Sequence, residues 1–163
     1  QRFHYPEEKA ADKDVFQRLK DFFNDPNTKS EDCFQAFNYF TNHYQALYNQ
    51  HKNPTTDRLF FIKYPQKFQN LWQELGDITM KKLHHEVKNS FNTDDTWQLL
   101  ERAKNEKLFK EHPGQFGFMR KTPWLKEIEQ IQQTIKIYVF HSQFIQIVIH
   151  NIILIQFSIL LCS

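Results

Sequence analysis

His84-His85-Glu86 is the densest run of metal-capable side chains in the sequence. Adjacent residues on a helix point about 100° apart, so the three do not converge on one ion. A zinc-protease helix needs two histidines four residues apart with the glutamate between them, and that spacing is absent. The expectation is a solvated helix face holding no metal. Glu7-Glu8 and Asp94-Asp95 pair carboxylates, as general acid–base sites do. Both pairs fall at expected helix starts, where negative charge is stabilised by about 0.3–1 kcal/mol, and this accounts for them without catalysis. Pro113-Gly114-Gln115-Phe116-Gly117-Phe118 carries two glycines but not the spacing of a phosphate-cradling loop. Cys33 and Cys162 stand at opposite ends of the chain with no second pair, which argues against a disulfide framework or a zinc site. No catalytic residue, cofactor or small-molecule substrate is expected.

Arg102, Lys104, Lys107, Lys110, Arg120, Lys121 and Lys126 alternate with Phe109, Phe116, Phe118 and Trp124. Nucleic-acid surfaces mix bases with aromatics in this way, and so does the water side of a membrane span. The C-terminal segment decides between them. Residues 137–163 hold no charged side chain, and Ile occurs twice before residue 128 but eleven times from Ile128 onward. The basic stretch is therefore expected to flank a membrane, with Arg120, Lys121, Lys126 and Lys136 on its N-terminal side, and nucleic acid is not an expected partner.

The elements that must position these groups are helical. Only three glycines occur in 163 residues, and strand-rich folds and nucleotide sites lean on glycine for turns and close approach. Helices are expected at 7–24, 31–50, 66–91, 94–110 and 123–160, with Ser30 capping the second, Thr93 or Asp94 the fourth, and Thr122-Pro123 opening the last. Cys33, Phe37, Phe40, Tyr44 and Leu47 keep to one side of a helix. So do Phe68, Leu71, Trp72, Leu75, Ile78, Leu83, Val87 and Phe91, and Gly76 within that run predicts a kink or a close helix contact. Leu59-Phe60-Phe61-Ile62 fits a short strand or a helical turn equally well. The expected organisation is a helical domain over 1–111, an aromatic connector over 112–122, and a long apolar helix over 123–163 with a membrane span at 137–161.

About 20 apolar residues suffice to cross a bilayer core, and this tail is long enough. His141, Ser142, Gln143, Gln146, His150, Asn151, Gln156 and Ser158 interrupt it and, at about 100° per residue, fall all round a helix. Intramembrane histidines can ligate haem or relay protons, but His141 and His150 are nine residues apart and face opposite sides. Hydrogen bonding to neighbouring helices is the expected role. A strand is the competing form, because Ile145, Ile147 and Ile149 alternate with Gln146, Val148 and His150.

The fold class expected is all-α: about four helices followed by one long C-terminal transmembrane helix. The function expected is that of a non-catalytic accessory subunit of a multi-subunit mitochondrial inner-membrane complex, a respiratory complex or ATP synthase. Its partners would be other protein subunits and membrane lipid, touched through Phe116, Phe118, Trp124, His141, Gln146, His150 and Asn151. The chain opens on Gln1, not Met, which sets the expectation of a cleaved presequence and import, with the soluble domain on the matrix side. The alternative is a soluble helical interaction protein buried in a mitochondrial ribosome or a cytoskeletal structure. The broad aromatic faces of the first four helices set a further expectation: residues 1–122 alone should expose apolar surface and aggregate.

Overall fold

The computed structural model describes residues 2–4, 12–50, 65–112 and 121–162. These residues are helical without a strand among them: α1 (Asp12–Asn24), α2 (Ser30–Gln50), α3 (Pro65–Lys88), α4 (Thr93–Lys104), the single turn α5 (Lys107–Lys110) and α6 (Pro123–Cys162). The chain is all-α with a long apolar C-terminal helix, as its sparse glycine and helical periodicity predict. The Leu59–Ile62 run and the Glu7-Glu8 pair lie outside the described residues. The chain divides into a compact body of residues 1–126 and a tail of residues 127–163. The body therefore reaches past the expected boundary at 122, because Trp124 packs within it.

α1 and α2 are joined by a tight turn. The Thr28 amide donates to the Asp25 carbonyl at 3.1 Å, and the Asn27 amide donates to the Asp25 carboxylate at 2.8 Å. Asp and Asn favour turns because their short side chains bond the backbone two residues on. α3 locks this turn from the side. Lys82 Nζ donates to the carbonyls of Asp25 and Thr28, both at 2.8 Å. Glu86 accepts from the Ser30 amide at 2.9 Å and from the Ser30 hydroxyl. Ser30 is therefore the first residue of α2 and not its cap. The Lys29 amide at the cap position donates to the Asp32 carboxylate at 3.0 Å, the return half of a capping box.

The end of α3 and the start of α4 also differ from expectation. α3 stops at Lys88, and Phe91, placed by periodicity on the apolar stripe, stands fully in solvent. Asn92 caps α4, its side-chain oxygen accepting from the amides of Asp94 and Asp95 at 2.9 and 3.2 Å. Thr93, Asp94 and Asp95 follow as the first turn. The helix expected over 94–110 breaks at Asn105-Glu106. The reason is geometric. Leu100 and Phe109 are both buried, and nine residues apart on one continuous helix they would face opposite sides. The break re-aims Leu108 and Phe109 into the same core.

That core is aromatic and continuous. Phe16 meets Phe40 at 5.0 Å, Tyr44 stacks on Phe68 at 5.0 Å, Phe37 meets Trp72 at 4.7 Å, and Phe34 meets Phe109 at 5.2 Å between ring centroids. Edge-to-face and stacked pairs of this kind contribute about 0.5–1.5 kcal/mol each beyond their buried area. Phe23, Phe34, Phe37, Phe40, Trp72 and Phe109 are all buried. Within the body only Tyr39 and Phe91 are exposed large hydrophobics among the described residues. The aromatic faces expected to drive aggregation are therefore used internally, because a fifth short helix and Trp124 cover what four helices would leave open.

Candidate membrane and partner interface

α6 starts as the sequence predicts. Pro123 is its first residue, where a missing amide costs nothing. Thr122 caps it, accepting from the Leu125 amide at 3.3 Å while donating to the Phe109 carbonyl at 2.6 Å. The helix then runs unbroken to Cys162. With no Gly or Pro after Pro123, nothing interrupts the ladder. Forty residues at about 1.5 Å each make a rod of about 60 Å. The expected single helix over 123–160 is present, and the strand alternative for 145–150 is not.

From Ile137 onward the tail helix is apolar and open. Apart from Val139, which is half-buried, its large hydrophobic side chains range from 39% exposed at Val148 to 73% at Leu161. By length and composition it meets the requirement for crossing a membrane. His141, Gln146, His150 and Asn151, expected to face partners, are likewise exposed. Of the expected basic flank, Lys121, Lys126 and Lys136 are exposed and precede the uncharged segment. Arg120, Phe116 and Phe118 lie outside the described residues.

Trp124 departs from its expected place. It is 2% exposed, inside the body rather than at a membrane interface or on a partner-facing surface. Its ring lies 5.8 Å from Phe109 and 5.6 Å from His112 between centroids, and its Nε1 donates to the Asp77 carboxylate at 3.0 Å. The face of α3 that receives it is bare at Gly76. A Cβ there would stand 2.3 Å from the indole ring. Gly76 thus serves as a close helix contact, one of the two roles its position suggests. Trp72 completes the box, 5.9 Å from His112, with its Nε1 donating to the Leu108 carbonyl at 2.8 Å.

The chemistry-bearing clusters of the body do not converge. Glu86 is turned to Ser30, while His84 and His85 are exposed, with His85 Nε2 3.0 Å from the Asn89 amide group. Among the described residues no three His, Cys, Asp or Glu side chains group as a metal site. Burial pushes the Cys33 thiol up to about 12 against the opposing charge of Lys82. Lys82 is not marked by the sequence, since a lysine beside Lys81 on a helix carries no signal that it reaches back to another turn. Comparison with known proteins finds no matching family model, no similar curated protein and no similar solved structure.

Proposed function

We propose that this chain is a non-catalytic structural subunit of a multi-subunit membrane complex, held there by α6. The observation that carries this reading is the exposed, uncharged helical segment from Ile137 to Cys162. At about 1.5 Å per residue it is about 39 Å long, against a hydrocarbon core of about 30 Å. Water is a poor solvent for such a surface. Lipid alone is a poor solvent for the carboxamides and imidazoles within it, and polar side chains in a span are satisfied by other helices. A span set among partner subunits meets both demands.

The finer form of the reading is an inner mitochondrial membrane complex with the helical body on the matrix side. The orientation is supported by Lys121, Lys126 and Lys136 on the N-terminal side of the span. Alkaline carbonate extraction of native membranes tests the span, and the chain is expected in the pellet. Release into the supernatant would favour a soluble interaction protein. Protease added to intact mitoplasts should leave the body undigested. Gln146→Leu combined with His150→Leu should lower the fraction of chain that co-purifies with the complex.

A further inference from the structure

A hollow of about 550 Å³ lies between residues 2–4 and α2. That volume falls in the range of small-molecule sites, about 300–1,000 Å³. Asp32, Gln35, Ala36 and Tyr39 line it from α2, at the spacing that keeps them on one face of a helix. Ala36 is short and buried, which gives the hollow its depth. Arg2, Phe3 and His4 line it from the N-terminal segment. Phe3 ties that segment to the body, its ring meeting Phe22 edge-on at 5.7 Å between centroids. Tyr39, one of the two exposed large hydrophobics described in the body, opens on to this space.

The chemistry of the lining selects the sign of a ligand. The side chains of Arg2, His4, Gln35 and Tyr39 are exposed, and none makes a hydrogen bond or ion pair to the described residues. All four can donate. Arg2 adds a fixed positive charge in a fork that matches a carboxylate or a phosphate. Asp32 is the one acceptor-only group in the lining. It is half-buried and already accepts from the Lys29 amide at 3.0 Å, so the charge left open is that of Arg2. We propose that this hollow binds a small organic anion, a carboxylate or phosphate carried on a planar ring. Arg2 holds the acidic group, and the Tyr39 ring, 51% exposed, carries the planar part. The hollow belongs to the body, so the proposal does not depend on the membrane reading of α6.

Titration calorimetry of the full chain in a neutral detergent tests this with three probes. Phenyl phosphate is the ring-bearing anion, benzylamine its counterpart of opposite charge, and inorganic phosphate the anion without a ring. Phenyl phosphate should bind with a Kd below about 1 mM and at least about tenfold more tightly than either of the others. Arg2→Gln should weaken it at least about tenfold and Tyr39→Ala at least about fivefold, while Tyr39→Phe keeps the ring and most of the binding. Arg2 and Tyr39 are exposed, so circular dichroism should show the helices of these variants intact. Lys88→Gln removes an exposed charge outside the hollow and should leave the affinity unchanged. Absence of saturable phenyl phosphate binding overturns the proposal. So does an affinity that Arg2→Gln and Tyr39→Ala leave unchanged, or that Lys88→Gln lowers equally. Tighter binding of benzylamine would assign the hollow to a cation through Asp32 and overturn it as well.

Discussion

A thiol shut away from water holds its proton, and a protonated thiol is a poor nucleophile. Cys33 is fully buried between α2 and α3 beside Thr79, its pKa pushed up from 9.0 to about 12 by that burial. Cys162 is exposed at the end of α6. Iodoacetamide at neutral pH should therefore label Cys162 and spare Cys33 until the body unfolds, with mass spectrometry reporting which thiol is modified. Because the folded state holds the Cys33 proton more tightly than the unfolded chain does, this group's contribution to stability is intact below pH about 9. It is lost as pH rises from about 9 toward about 12. Denaturant melts across that window should show a smaller alkaline loss for Cys33→Ala than for the wild type. Gly76 poses the opposite problem, a place where an atom cannot be added. Alanine would gain about 1 kcal/mol of helix propensity, yet its Cβ would stand 2.3 Å from the Trp124 ring, which Asp77 holds by hydrogen bond. Overpacking costs about 1–3 kcal/mol, so after that gain Gly76→Ala is expected to destabilise the body by up to about 2 kcal/mol in urea. Combining it with Trp124→Leu should cost less than the sum of the two single changes. Strict additivity would show that the two residues do not share the site.

At the scale of elements, much of the helical layout was legible and the ends were not. The stripes of α2 and α3 are carried by Phe37, Phe40, Leu71, Trp72 and Leu75, and burial follows that spacing. The sequence does not single out the cap of α4, because Asn92-Thr93-Asp94-Asp95 offers four competent residues in a row, and the entry path of the chain chooses among them. The break at Asn105-Glu106 has no Gly or Pro to announce it and is dictated by where Leu100 and Phe109 must both point. Lys82 and Glu86 were legible only as surface charges, yet they fasten the α1–α2 turn. Lys82→Met keeps the aliphatic stem and deletes two charge-assisted bonds, leaving the Asp25 and Thr28 carbonyls without that donor. Hydrogen bonds to charged groups contribute about 1.5–3 kcal/mol each, so a loss of at least about 2 kcal/mol is expected. The amides of Thr28 and Ser30 should also exchange faster with deuterium. A variant with unchanged stability and exchange would show that the turn holds without its clamp.

For the whole molecule, the question is where the apolar surface resides. The tail was legible early because length and the absence of charge suffice to mark a span. The internal pairing of the body's aromatics was not, because counting aromatics cannot show which of them meet each other. Apart from Tyr39 and Phe91, the exposed large hydrophobics among the described residues begin at Ile137. A fragment of residues 1–136 ends just before them and retains Trp124, so it is expected to be a soluble monomer with one cooperative urea transition. A fragment of residues 1–122 lacks the indole that covers Gly76 and contacts Phe109 and His112. Deleting a buried Trp costs about 3–5 kcal/mol, a large share of the roughly 5–15 kcal/mol typical of a domain. That shorter fragment should unfold at clearly lower urea and self-associate through its opened core. Light scattering coupled to size exclusion separates the cases. If residues 1–136 aggregate as readily as the full chain, the body itself carries a large apolar interface. If residues 1–122 are as stable as 1–136, Trp124 is not the closing piece of the core.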